Sequence, residues 1–167
     1  MAVSQMFPGN HPSSTSSSDS IDSARETSLA FQRVALLYQA MPAALIAGLG
    51  CAVALVFVNW NVLPHDRLLA WLAYHLLLSI GRYGLARSFA ATSPTPSTIR
   101  RWDRAFLTGT LLAGLGWGAT ALLVFPESSL AHQVFLAFVL GGVSAGASST
   151  LAARFDAFLS FAVPTLA

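Results

Sequence analysis

The sequence predicts an all-α membrane protein, a polytopic bundle of four complete transmembrane helices followed by a truncated fifth. Three observations lead to this prediction. Of the 167 residues, 54% are hydrophobic and only 10% are charged, whereas soluble domains have about 25% charged residues. The apolar residues are collected into long runs. The nine basic residues are all arginine, and all but one would lie at the same side of these runs.

The length of each apolar run decides whether it can cross a bilayer, because a hydrocarbon core of about 30 Å requires roughly 20 helical residues. The runs cover residues 35–58, 68–81, 106–125 and 134–153. The first, third and fourth are long enough, and the second becomes so by continuing past Arg82 to residue 90. A last run, 155–167, is too short to cross, so we interpret the chain as a truncated product or a fragment.

The arginines predict the orientation, because short cytoplasmic loops retain basic residues that are costly to translocate. Arg67 alone would lie outside. The eight on the inner side are Arg25, Arg33, Arg82, Arg87, Arg100, Arg101, Arg104 and Arg154. We therefore predict a multi-pass membrane protein with its N-terminus in the cytoplasm. Its expected partners are the lipid bilayer and anionic head groups at the basic inner rim, and no nucleic acid.

The N-terminal part divides into a tail and the start of the helical domain. Residues 1–22 are Ser-rich, and such a composition predicts a disordered cytoplasmic tail because it cannot bury enough surface to fold. The membrane domain is expected to cover residues 23–167. Ser23 and Glu26 fit a capping box at its start. Pro42 should kink the first span, which is expected to end near Asn59.

Capping residues and helix-breaking segments predict the boundaries of the remaining helices. The second helix is expected from near Asp66 to about residue 90, and a Pro/Ser/Thr-rich loop follows over residues 91–97. Ser97 or Thr98 should cap the third helix, whose span should end at residues 125–126. The turn after it is tight, so the third and fourth spans are predicted to be antiparallel neighbours.

Three rows of small residues predict close helix contacts, because such rows let backbones approach each other in lipid. The rows are Gly114 with Gly118, Gly142 with Gly146, and Ala44 with Gly48 and Ala52. Packing inside the bundle is the favoured interpretation. The same rows also serve contacts between chains, and a homodimer is the expected assembly.

Four residues of the second helix share one face at helical spacing. They are Trp71, His75, Ser79 and Arg82. Polar residues at membrane depth are expensive and tend to face the protein interior. One hypothesis is a ligand-binding or proton-responsive pocket in which His75 titrates. The other is structural: His75 and Ser79 bond to neighbouring helices, and Arg82 snorkels to the inner interface.

Other chemistry has weaker support. A haem or metal would want a second histidine at membrane depth, and the sequence has none, so no cofactor is predicted. Two histidines and two carboxylates near the outer turns suggest a metal or pH site, but their spacing matches no metal motif. They are His65, Asp66, Glu127 and His132. No motif for a catalytic nucleophile, a metalloprotease or a phosphate-binding loop occurs, so this chain is not predicted to be an enzyme.

A series of short motifs extends from Arg33 to the end of the chain. They are Arg33 to Tyr38 with Pro42, Leu69 to Leu72, Arg82, Arg101-Trp102, Arg104 to Phe106, Gly109, Gly114 to Gly118, Phe125-Pro126, Gln133 to Leu136, Ala145 to Ala147, and Phe158-Leu159 with Pro164. Their order resembles the N-terminal multi-helix membrane sensor region of bacterial diguanylate cyclases, cyclic-di-GMP phosphodiesterases and sensor histidine kinases. The resemblance implies about six helices, a cytoplasmic linker and a signalling domain, and it implies a location in the bacterial inner (cytoplasmic) membrane.

Three functions are compatible with these features. The resemblance favours a sensory or regulatory input module that relays helix rearrangement to a missing cytoplasmic output domain, for cyclic-di-GMP turnover or histidine kinase activity. One alternative is a fragment of a small transporter or permease, with which Pro42 and the glycine-rich spans are compatible. The other is a ligand-free membrane anchor. No stimulus is predicted.

Overall fold

The computed structural model of the protein describes residues 14–92, 95, 98–127, 129–152 and 154–166. All regular secondary structure in this part of the chain is helical, and four helices are long and apolar enough to span a membrane. The predicted fold class, four complete spans and a shorter fifth helix, is confirmed. The elements are α1 (Ser14–Asn59), α2 (His65–Thr92), α3 (Ile99–Gly118), α4 (Thr120–Leu123), α5 (Leu130–Thr150) and α6 (Phe155–Leu166).

The first helix begins at Ser14, ahead of the start predicted at Ser23. Adding residues to an existing helix is much less costly than nucleating a new one, so α1 extends into the Ser-rich sequence. It continues through Pro42 to Asn59, the predicted end. Residues 1–13 of the predicted tail, and the side chains of the predicted capping box, lie outside the described residues.

The second and third helices begin where the sequence predicts. α2 covers His65–Thr92, and Thr98 occupies the N-cap position of α3. The Thr98 hydroxyl, however, donates to the Thr95 carbonyl oxygen at 3.0 Å instead of capping the helix. α3 ends at Gly118, and one further turn, α4, follows Ala119. The Ala119 backbone remains helical and its N–H donates to the Leu115 carbonyl oxygen, so the candidate span covers Ile99–Leu123 and ends shortly before the predicted residues 125–126.

The sixth helix changes the predicted packing. α3 packs mainly against α6, which also contacts α5, while α1 packs against α2 and α5. The prediction that the third and fourth spans are direct neighbours is therefore wrong. The physical reason is the glycine row of α3: a Cβ at Gly114 or Gly118 would overlap the α6 backbone. Helix α6 therefore approaches α3 more closely than a helix bearing larger side chains there would permit.

An aromatic cluster joins α1, α2 and α3 at the arginine-rich end of the bundle. Tyr38 stacks on Phe89 with ring centroids 4.1 Å apart, and its ring edge meets Trp102 and Phe106. The Tyr38 hydroxyl donates to the Trp102 carbonyl oxygen at 2.9 Å. The outside of the bundle is apolar, with Phe57 and Phe138 both 81% exposed. Such a surface suits lipid rather than water.

Candidate functional site

A cavity of about 390 Å³ lies where α1, α2, α3, α5 and α6 meet. This volume is within the range of about 300–1,000 Å³ that is usual for small-molecule sites. Most of its wall is aliphatic. The residues in the wall that bear a hydroxyl, a thiol or a basic group are Cys51, His75, Ser79, Arg82, Thr110, Ser149 and Thr150.

Three of the four residues in the predicted α2 stripe line this cavity. His75, Ser79 and Arg82 face it together because residues three and four apart share one side of a helix. Trp71 lies one turn before His75, is 3% exposed and is absent from the cavity wall. Its Nε1 donates to the Gly116 carbonyl oxygen at 2.9 Å. Trp71 thus fixes α2 against α3 and holds the stripe in position.

The His75 ring is enclosed by aromatic neighbours. Its centroid lies 4.2 Å from that of Trp71 and 5.0 Å from that of Trp117, and the residue is 6% exposed. Nδ1 lies 3.2 Å from the Trp71 carbonyl oxygen. A carbonyl can only accept, so Nδ1 carries the proton and Nε2 of the neutral ring is an acceptor. Nε2 has no hydrogen-bond partner among the described residues.

Glycine allows this close approach of α2 to α3. A Cβ at Gly116 would overlap the rings of Tyr74 and His75. One turn earlier along α3, the Tyr74 hydroxyl donates to the Leu112 carbonyl oxygen at 2.8 Å. These contacts, together with the Trp71 hydrogen bond, align the two helices over the length of the stripe.

The Arg82 side chain extends across to α3. Its stem contacts Gly109, where a Cβ would lie 3.3 Å from Cγ. The guanidinium carbon is 5.8 Å from the centroid of the Phe106 ring, a cation–π distance. Nη2 donates to the Thr110 hydroxyl oxygen over a long 3.4 Å. Thr110 gives its own proton to the Phe106 carbonyl at 2.9 Å, so its oxygen is free to accept.

The charge of Arg82 has no counter-ion in the cavity wall. None of the described lining residues is Asp or Glu, and Arg82 Nε is buried without a hydrogen-bond partner among the described residues. A cation at membrane depth is costly and normally pairs with an acid or faces water. The site therefore presents one uncompensated positive charge beside a largely apolar space.

The three glycine and alanine rows occupy different environments. Gly114 and Gly118 contact Phe161 and Pro164 of α6, inside the chain. Gly142 and Gly146 line the cavity, and no described atom of another helix lies within 4 Å of the Cβ that either would carry. Ala44 and Gly48 also line the cavity, whereas Ala52 of the same row is fully buried. One row thus joins helices, and the other two leave room between them.

The predicted outer cluster does not assemble. His65 Nε2 bonds to the Trp60 carbonyl at 2.9 Å, and His132 Nδ1 bonds to the Ser129 hydroxyl at 2.7 Å. Within the described part of the chain, no three His, Cys, Asp or Glu residues come together in a group that could hold a metal ion. Each histidine is engaged locally instead.

Sequence reasoning missed an ion-pair network between helices. Arg154, in the α5–α6 connection, pairs with Asp103 of α3 and with Asp156, whose carboxylate accepts from Nη2 at 2.7 Å. This hydrogen-bonded guanidinium holds the pKa of Asp156 below its ordinary value. The presence of two acids at the arginine-rich end was the available signal. The sequence pattern places Arg154 only among the arginines that predict the orientation.

Comparisons of the chain with protein-family models, with curated proteins and with solved structures give no match. The class therefore follows from the fold and the site alone. The protein is a helical membrane protein with four candidate spans. Five of its helices enclose a cavity that carries an arginine and a histidine.

Proposed function

We propose that this chain is the membrane-embedded sensory input module of a bacterial signal-transduction protein. It lies in the inner membrane with its N-terminus in the cytoplasm and acts on a cytoplasmic output domain for cyclic-di-GMP turnover or histidine kinase activity. The observation that carries this proposal is the cavity, in which Arg82 lacks a counter-ion and His75 Nε2 lacks a donor. The order of motifs from Arg33 onward supports the same class.

A ligand-free anchor does not account for the cavity. Charged groups at membrane depth are expensive and mark functional sites by default, and an anchor gains nothing from an unpaired one. A transporter usually places interrupted helices at its substrate site. Here α1 passes unbroken through Pro42, and α3 and α4 together form one candidate span, Ile99–Leu123. The input-module function accounts both for the cavity and for the unpaired charge of Arg82.

The contacts around the cavity suggest how occupancy is relayed. Phe161 brings α6 into the cavity wall, and α6 rests on Gly114 and Gly118 of α3. Arg154 then links the start of α6 to Asp103 at the arginine-rich end of α3. A ligand that prefers one spacing of α2 and α6 shifts the population of bundle packings. The α5–α6 connection transmits this shift toward the output side.

The arginine-rich end is the proposed cytoplasmic face. Arg100, Arg101 and Arg104 are exposed in the first two turns of α3. Basic residues at this depth attract anionic lipid head groups, which keep the end of the bundle at the membrane surface. The signalling unit is a homodimer, as in the predicted assembly.

The proposal is tested in the natural gene and its full-length product. We expect the reading frame to continue beyond Ala167 into a signalling domain. Arg82→Gln should make its output, cyclic-di-GMP or phosphohistidine, unresponsive to the stimulus. Arg67→Gln is the matched control, because Arg67 is an exposed arginine of the same helix remote from the cavity. A stop codon with no signalling domain following, or a normal response from the Arg82 variant, would overturn the proposal.

A further inference from the structure

We infer that the cavity binds an aliphatic monocarboxylic acid drawn from the lipid phase, with its carboxylate on Arg82. This inference rests on the proposed function in taking the cavity as the input site. Binding itself is measurable without any signalling output.

The charge and geometry at Arg82 select a carboxylate. A guanidinium offers a planar fork of N–H donors that matches the two oxygens of a carboxylate. At Arg82, Nε–H is without a partner among the described residues and Nη2 makes only the long bond to Thr110. The single positive charge of Arg82 is balanced by the single negative charge of a carboxylate. A phosphate monoester carries about −1.5 to −2 at neutral pH, which would leave excess negative charge in an apolar wall.

The remainder of the wall suits a hydrocarbon chain. His75 and Arg82 both line the cavity and are separated by seven positions, so the cavity follows α2 for about 10 Å at 1.5 Å per residue. The opposite wall, on α1, consists of small and aliphatic side chains. Residues of this wall include Leu37, Ala40, Met41, Ala44 and Leu45. Burying methylene groups there is favourable, whereas a short acid such as acetate has none to bury.

The cavity opens toward lipid. Ala43 and Ala47 of α1, and Gly142 and Gly146 of α5, line it and are themselves exposed. Both helices are candidate membrane spans, so the surface on which these residues lie is the lipid-facing one. Their small side chains leave an opening through which a molecule dissolved in the bilayer reaches Arg82.

Equilibrium binding of radiolabelled decanoate tests this inference on the purified 167-residue chain in phosphatidylcholine nanodiscs. We expect saturable binding that unlabelled decanoate displaces, and that methyl decanoate, acetate, decyl phosphate and phosphatidylglycerol displace at least about tenfold less well. Loss of one charge-assisted hydrogen-bonded pair corresponds to a change of this size. Arg82→Gln should weaken binding at least about tenfold, Arg82→Lys less so, and Arg67→Gln not at all.

Several results would overturn the inference. They are equal affinity in the Arg82→Gln variant, equal competition by the methyl ester, and tighter binding of decyl phosphate or phosphatidylglycerol. Circular dichroism checks that the variant keeps its helices, and if it does not, the comparison of acid with ester on the unaltered chain decides. Failure of decanoate to bind, combined with Arg82-dependent output, removes this inference and leaves the proposed function. Binding of decanoate by a chain whose gene encodes no signalling domain leaves this inference and removes the proposed function.

Discussion

Gly118 of α3 lies directly against the carbonyl of Pro164 in α6, so that these two helices meet backbone to backbone. This contact places α6, the shortest of the apolar helices that meet at the cavity, against a full-length span. It also brings Phe161 into the wall of the cavity. The position of α6 therefore depends on the absence of a side chain at Gly118 and, one turn earlier, at Gly114.

Replacing Gly118 with alanine should destabilise the bundle by about 1–3 kcal/mol, the usual cost of overpacking a close contact. Gly146→Ala is the matched control. No described atom of another helix lies within 4 Å of the Cβ it would add, and alanine improves helix propensity by up to about 1 kcal/mol. The free energy of unfolding, measured by SDS titration in mixed micelles, compares the two. Equal stability of both variants would contradict the backbone contact.

Trp71→Phe should lower the free energy of unfolding by about 1 kcal/mol, because it removes the hydrogen bond that the indole N–H donates to the Gly116 carbonyl oxygen across α2 and α3. The phenyl ring retains most of the apolar contact with Trp117. Trp60→Phe is the control, since Trp60 lies in the turn after α1 and is 39% exposed. The same SDS titration measures both, and an equal loss in the two variants would be inconsistent with a specific role for the indole N–H.

Two substitutions at Tyr38 separate its hydrogen bond from its ring contacts. Tyr38→Phe keeps the stack on Phe89 and loses only the bond to Trp102, so we expect a loss of about 1 kcal/mol. Tyr38→Ala also removes a buried ring and should cost about 3–5 kcal/mol. Tyr83→Ala, at a residue that is 50% exposed, should change stability by less than about 1 kcal/mol. Thermal unfolding followed by circular dichroism measures the stability of the three variants. A loss for Tyr38→Ala no larger than the loss for Tyr83→Ala would contradict the role of the buried Tyr38 ring.

The acid side of the stability profile should depend on Asp156. Its pKa is lowered from 3.8, first of all by the hydrogen bonds from Arg154. A carboxyl whose pKa is lower in the folded protein contributes stability that is fully present above its unfolded pKa and is lost as the pH falls through the folded one. Because Asp156 is 58% exposed, water screens the interaction and the effect on stability is small.

An NMR titration of the Asp156 carboxyl checks this directly. We expect its pKa to lie below 3.8 in the unaltered chain and to rise toward that value in Arg154→Gln. Arg101→Gln removes an exposed arginine that makes no contact with Asp156 in the described network, and it should leave the titration unchanged. A pKa that responds equally to both substitutions would indicate general electrostatics rather than the Arg154 pair.

Much of the fold was predictable because it depends on local features of the sequence. Helix α2 was expected from near Asp66 to about residue 90 and covers His65–Thr92, since a turn and a proline-rich loop delimit it. The shared face of His75, Ser79 and Arg82 followed from helical periodicity alone, and it does face one cavity. Periodicity could not indicate that Arg82 would turn to Gly109, because that contact joins two separate helices.

The errors in the predicted packing concern contacts between distant segments. A short turn predicted that the third and fourth spans are neighbours, yet α3 packs mainly on α6. Two GxxxG rows looked equivalent, but only Gly114 and Gly118 meet another backbone. Arg154 read as a topology signal and proved to be an ion-pair partner of Asp103. The partner of each of these residues depends on which helix surface packs against it in the folded chain.

The sequence by itself determined that this is a helical membrane protein with four spans, because hydrophobicity and length are properties of each segment and the bilayer acts on each segment alone. Only the tertiary structure decided which helices the glycine rows contact and that an unpaired Arg82 lines a largely apolar cavity. The reason is that packing in lipid depends on complementary shape between helices far apart in the chain. That complementarity brings α6 onto Gly118 and places Phe161 in the wall of the cavity that Arg82 also lines.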